Sequence, residues 1–202
     1  MIRNIVFDIG NVLVAFDWKR YFTSFGYSQD VVDRLAKATV LTENWLEYDR
    51  GVLSEEEVLQ RFIDKDPQLE PMIRESLSSH TGLLVMYDYA IPWIQELKRK
   101  GYGVYYLSNY SYPAYRDCSE EMRFIPYTDG GILSFQEHLV KPDAAIYELL
   151  LERYGLKAKE CVFLDDTEKN IIGARNVGMH GIMFRNKQQA EEELRLLGVM
   201  TI

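Results

Sequence analysis

Met1-Ile2-Arg3-Asn4-Ile5-Val6-Phe7-Asp8-Ile9-Gly10-Asn11-Val12-Leu13-Val14 is the stretch whose reading decides the fold. Ile5-Val6-Phe7 is a short, β-rich apolar run without polar alternation. A strand that reads this way is buried on both faces, as at the centre of a parallel sheet. The run stops at Asp8, Gly10-Asn11 supplies a turn, and Val12-Leu13-Val14 resumes apolar. A carboxylate at the carboxyl end of a central parallel strand stands where open α/β sheets place their ligands. A plain turn cap would use the same side chain, so Asp8 alone decides nothing.

Three later stretches add to it. Val104-Tyr105-Tyr106-Leu107 is a second apolar run and ends in Ser108-Asn109. Lys141-Pro142-Asp143 precedes an amphipathic helix over 143–154, and Cys161-Val162-Phe163-Leu164 ends in Asp165-Asp166. Between them Trp93, Ile94 and Leu97 mark a helix that closes at Gly101. Thr167 stands as the cap of a helix over 168–177, Gly181–Phe184 reads as a last strand, and 187–198 as a charged closing helix. Gly131–Phe135 reads as a short strand, while 110–130 shows no period. Strand and helix alternate, which predicts an α/β fold: a doubly wound, parallel, Rossmann-like sheet.

One segment breaks the alternation. Phe16, Trp18, Tyr21, Phe22 and Phe25 recur at helical steps, Val31, Val32 and Leu35 continue them, and 41–48 reads as a third helix. Ser54-Glu55-Glu56-Glu57 is a capping box opening a fourth. The prediction is an inserted α-helical cap at 17–80, with 1–16 and 81–202 forming the core domain.

The bulk numbers narrow the chemistry. With 202 residues, 47% hydrophobic and 27% charged, the chain is an ordinary globular domain with room for an insertion. A net charge of -8 argues against nucleic acid as a partner. It also means that an anionic substrate needs local positive charge, from a metal or a placed lysine. The two cysteines form no CxxC pair, and neither a signal pattern nor a run of about 18 apolar residues is present. The expectation is a soluble, cytoplasmic, reduced protein without membrane partners, its oligomeric state not legible. His80, His138 and His180 lack metal-ligand spacing.

Asp after the first strand, Ser after the second, Lys before a helix and an Asp pair after another strand, in this order, resemble the haloacid dehalogenase superfamily. The resemblance spans residues 1 to about 185. It implies a phosphatase using an aspartyl-phosphate intermediate, with Asp8 the nucleophile. It implies that Ser108, more weakly Asn109, and Lys141 bind phosphate, and that Lys141 also serves Asp8. It implies Mg²⁺ on Asp8, the Gly10 carbonyl and Asp166, with Asp165 further out or through water; which of the two adjacent acids ligates directly stays open. A small phosphorylated metabolite is the implied partner.

Phe7-Asp8-Ile9-Gly10-Asn11-Val12 departs from the superfamily's pattern at Gly10, where most of its phosphatases carry a second Asp as general acid and base. Two readings follow: a phosphatase assisted in another way, or a protein that has lost catalysis and binds a phosphorylated metabolite or protein partner. The stretch is similar to a subgroup of bacterial α-glucose-1-phosphate phosphatases, which favours activity and makes sugar phosphates the leading class.

Overall fold

In the computed structural model, which describes residues 1–200, the opening stretch becomes β1 (Asn4–Phe7) at the centre of a five-stranded sheet. β2 (Val14–Phe16) and β3 (Leu84–Met86) form a separate antiparallel pair. β4 (Gly103–Ser108), β5 (Gly130–Leu133), β6 (Cys161–Asp165) and β7 (His180–Met183) join β1 in the order β5-β4-β1-β6-β7, every pair parallel.

The helices between β2 and β3 are α1 (Trp18–Ser24), α2 (Gln29–Ala38), α3 (Glu43–Arg50), α4 (Glu55–Ile63) and α5 (Glu70–Ser76). The remainder are α6 (Ala90–Arg99), α7 (Tyr112–Asp117), the single turn α8 (Ser134–Glu137), α9 (Ala144–Arg153), α10 (Glu168–Asn176) and α11 (Lys187–Leu196).

Strand pleating sorts the central residues between two cores. Ile5 and Phe7 of β1, Val162 and Leu164 of β6, and Trp93 of α6 with Leu194 of α11 share one. Val6 and Phe163 share the other with Ile146 and Leu150 of α9 and Ile171 of α10. Both faces of β1 are therefore covered, which is why its sequence shows no alternation. The sheet is the doubly wound α/β arrangement that the sequence predicts.

The capping box at Ser54 forms as read, with Ser54 Oγ accepting from the Glu57 backbone and Glu57 returning to the Ser54 N–H at 2.8 Å. The apolar run resuming at Val12 leads into the β2–β3 ribbon, which carries the chain out to the helices and back. Two local expectations change. Ser134 and Phe135 leave the strand and turn into α8. Thr167 occupies the N-cap position of α10, but its hydroxyl makes no cap bond; its N–H donates to Asp165 Oδ1 at 2.7 Å instead.

The C-terminal end of α3 is latched to the α8 turn. Ser134 Oγ donates to the Asp49 carbonyl at 2.6 Å and accepts from the Tyr110 N–H at 2.8 Å. Gly51 follows in the left-handed conformation at φ +69°, where an added Cβ would stand 3.0 Å from the Phe135 Cβ and 3.1 Å from its Cα and carbonyl oxygen. Glycine is required there both for its backbone freedom and for the close approach.

Candidate functional site

The register of the sheet makes the site. Phe7 of β1 is level with Leu164 of β6 and Tyr106 of β4. The next residues along, Asp8, Asp165 and Leu107-Ser108, therefore emerge together at the carboxyl edge, where a crevice opens beside the central strand.

Lys141 sits in the middle. Its side chain is 1% exposed, with Nζ 2.8 Å from Asp8 Oδ1 and 2.7 Å from Asp165 Oδ2, over the Phe163 ring at 5.2 Å. Burial pulls the ammonium down, Asp165 and Asp8 pull harder, and the balance holds it above the ordinary lysine value. The Asp8 acid is pushed up to about 7, first by burial, with Lys141 opposing and Asp165 adding to the rise. One cation thus serves two buried carboxyls; with both ionised the trio would carry one negative charge in excess, and the raised Asp8 acid relieves that excess.

The two adjacent acids have different surroundings. Asp165 is fully buried and accepts from Lys141, from the Thr167 N–H and from the Asn170 amide at 3.0 and 3.1 Å. Asp166 is half-buried and lines the cavity, with Asn11 Nδ2 donating to it at 2.9 Å. Asp8, Asp165 and Asp166 each offer an oxygen within 4.8 Å of the others, a donor set that suits a hard divalent cation. Gly10 lines the same cavity. It does not adopt a positive φ, and an added Cβ would meet nothing within 4 Å.

Ser108 is buried and lines the same cavity as Asp8, its hydroxyl 3.4 Å from the Asn109 carbonyl oxygen. The Asn109 carboxamide is engaged at both ends by the Lys141 main chain, accepting from its N–H at 2.8 Å and donating to its carbonyl at 3.0 Å. Its geometry suits it to positioning Lys141.

Above these groups lies a cavity of about 370 Å³. One face of α3, carrying Trp45, Leu46 and Asp49, forms part of its wall. Tyr110 also lines it, whereas Tyr112 and Tyr115 are exposed and pack at Phe135. His80 is buried away from the cavity, 3.2 Å from Asp117. Trp18, Tyr21, Phe22 and Phe25 pack on one another or among the apolar core.

The model for haloacid dehalogenase-like hydrolases matches residues 2–178. The chain belongs to that family. Among its relatives, the sesquiterpene phosphatase of Aspergillus oryzae is 27% identical over 193 residues, 95% of this chain and 94% of its own length. The D-ribitol-5-phosphate phosphatase of Bacteroides thetaiotaomicron is 28% identical over 207 residues, 98% of each chain. A family enzyme from B. thetaiotaomicron, crystallised with magnesium, shares the fold with a TM-score of 0.73 at 21% identity, over 96% of this chain and 98% of that one. It has also been crystallised with magnesium and inorganic phosphate. No helix among the described residues is long and apolar enough to cross a membrane.

Two lining residues escaped the sequence reading. Asn11, in the left-handed conformation at φ +56°, clasps the Asp8 turn by accepting from the Phe16 N–H at 3.1 Å while it donates to Asp166. Asp49 is 8% exposed, and no described residue donates to its carboxyl. The signal for it is an acid at the i+4 position from Trp45, one residue past the predicted helix 41–48, which continues to Arg50 in the structure. Burial, opposed by Lys141 and reinforced by Asp8, pushes its acid up from 3.8 to about 8. The folded chain thus holds this proton more tightly than the unfolded chain, so the associated stability is complete below about pH 4 and is lost as the pH rises towards about 8. Asp49→Asn removes the titration. Thermal unfolding of metal-free protein should show the variant gaining on the parent as the pH rises through this window; a gain that shrinks instead would contradict the assignment.

Proposed function

We propose that the chain is a Mg²⁺-dependent phosphatase of small phosphate monoesters, sugar and polyol phosphates first, acting through an aspartyl-phosphate on Asp8. The observation that carries this reading is the buried Lys141 ammonium fixed against Asp8 beside the Asp165-Asp166 pair, where Asp8, Lys141 and Asp166 line one cavity. Asp8 attacks the phosphorus in line with the leaving oxygen. Lys141 and Ser108 hold the equatorial oxygens and keep the attacking carboxylate ionised and aimed. Asp8, Asp166 and the Gly10 carbonyl would hold the metal, with Asp165 behind them fixing Lys141. When bound, Mg²⁺ supplies the charge neutralisation that lets a dianionic phosphate approach clustered carboxylates. Asn109 keeps Lys141 in register.

The substrate class is supported by the D-ribitol-5-phosphate phosphatase relative, by the resemblance of the Asp8–Val12 stretch to α-glucose-1-phosphate phosphatases, and by the cavity's volume. Residues 17–80 act as a cap over the carboxyl edge, shaping the pocket and excluding water. A second reading has its own observation. Phe16, Val40, Trp45, Leu46, Leu83 and Leu84 give the cavity an apolar wall, which suits an isoprenoid phosphate of the kind the A. oryzae relative's name indicates.

A phosphate-release screen tests both. Sugar, polyol and isoprenyl phosphates and a phosphopeptide are offered with Mg²⁺ and with chelator. Release is expected from a small monoester, to be abolished by chelation and lowered on the order of 10²-fold or more by Asp166→Ala. Faster release from the phosphopeptide than from any small ester would overturn the cap's role. Binding of these esters without release would favour the non-catalytic reading.

A further inference from the structure

The leaving alcohol must gain a proton, and the water that later frees the enzyme must lose one; Gly10 can do neither. Resting on the phosphatase reading, we propose that Asp49 is the acid and base of this site, carried into the cavity by the cap.

The lining groups leave little choice. The titratable side chains among the described residues of the cavity wall are Asp8, Asp49, Tyr110, Lys141, Asp166 and Lys169. Asp8 is the nucleophile. Lys141 donates to two carboxylates, and Asp166 accepts from Asn11 and Thr167. Lys169 is exposed. The Tyr110 phenol is held far above its ordinary range, first by burial. Asp49 alone is a buried carboxyl to which no described residue donates.

An unpartnered buried acid weakens the fold unless it stays protonated. Its position favours that form, since it lies in the last turn of α3, where the helix dipole opposes negative charge. Its titration near 8, raised by burial, lies in the range that serves proton transfer at neutral pH. Its main chain is pinned by Ser134, so the carboxyl stands on a fixed support.

The two steps balance. As an Asp8 oxygen bonds to phosphorus, the bond from phosphorus to the ester oxygen breaks. The electron pair stays on that oxygen, which takes the Asp49 proton and leaves as the alcohol. Water then attacks the phosphorus of the acyl phosphate and passes a proton to the Asp49 carboxylate. Asp8 departs as a carboxylate, inorganic phosphate forms, and Asp49 is again neutral.

The test compares leaving groups in the Mg²⁺-loaded enzyme. D-Ribitol 5-phosphate stands for alkyl esters, and p-nitrophenyl phosphate for esters whose leaving group needs no proton. Asp49→Asn should lower kcat/KM on the alkyl ester by about 10²- to 10⁴-fold and on the aryl ester by less than about ten-fold. It should also give a burst of nitrophenol as phosphorylated Asp8 accumulates. Asp49→Ser, of different shape, should do the same. Gly10→Asp has open space for its Cβ. In that background the loss from Asp49→Asn should shrink, because a second acid lines the same cavity. Equal losses on the two esters, or the same loss in both backgrounds, would overturn the role of Asp49 and leave the phosphatase reading standing. No cleavage of any phosphate ester by the parent enzyme in Mg²⁺ would overturn both.

Discussion

Asp8→Asn is expected to lower turnover of every phosphate ester on the order of 10⁵- to 10⁶-fold, the scale on which removal of a covalent nucleophile acts in other hydrolases. The change is nearly isosteric. The amide oxygen can still accept from the Ile9 N–H, which donates to Asp8 Oδ1 at 2.7 Å. The amide cannot form an acyl phosphate, so no phosphorylated protein should be trapped by acid quenching, whereas the parent should yield some. Fold and phosphate binding should survive, since Lys141 keeps Asp165 and its cavity position. Phosphatase activity surviving in an Asp8→Asn preparation free of parent enzyme would sink the covalent mechanism.

Lys141→Met is expected to have the second largest effect, and on two readouts. Methionine keeps the unbranched stem against Phe163 and removes only the charge. Removing one member of a buried ionic cluster typically costs about 3–5 kcal/mol, because the remaining charges lose their partner. Asp8 and Asp165, both buried, would then face each other without a cation. The loss should deepen as the pH rises, since the two acids can escape it only by taking up protons. Denaturant unfolding in chelator at several pH values measures this. Adding Asp8→Asn should return part of the stability, because one of the two carboxylates is gone. Turnover should fall in parallel with the affinity for inorganic phosphate. Stability unchanged from the parent at neutral pH would mean that Lys141 is not the counter-charge its distances indicate.

The fold was legible where a residue's surroundings act through its neighbours in the chain. Ile5-Val6-Phe7 reads as a doubly buried strand because both faces of β1 are covered, and the Ser54 capping box is a contact between residues three apart. Asp8, Lys141 and Asp165-Asp166 were legible as a set because each ends or precedes a regular element, and parallel strands bring such ends to one edge. The β2–β3 ribbon was not, because its strands are three residues each and are separated by the whole insertion. The partners of Asn109 and Asn11 depend on residues 32 and 155 positions away, and no local pattern encodes them. Asp49 was missed for a different reason. Residues 41–48 were read for the apolar period of a cap helix, and an acid just beyond the last apolar residue passes for the solvent side of a helix end.

The latch between α3 and the α8 turn bears on how such enzymes can be recombined. Exchanging the segment between β2 and β3 for a relative's would be expected to transfer specificity as a unit. Here the insertion is fitted to a stretch some eighty residues later, where Gly51 leaves no room for a side chain against Phe135 and Ser134 binds the Asp49 carbonyl. A chimera that imports residues 17–80 alone would set a foreign helix end on a native turn. The smallest exchangeable part of this protein is therefore discontinuous: the helical insertion together with residues 134–138.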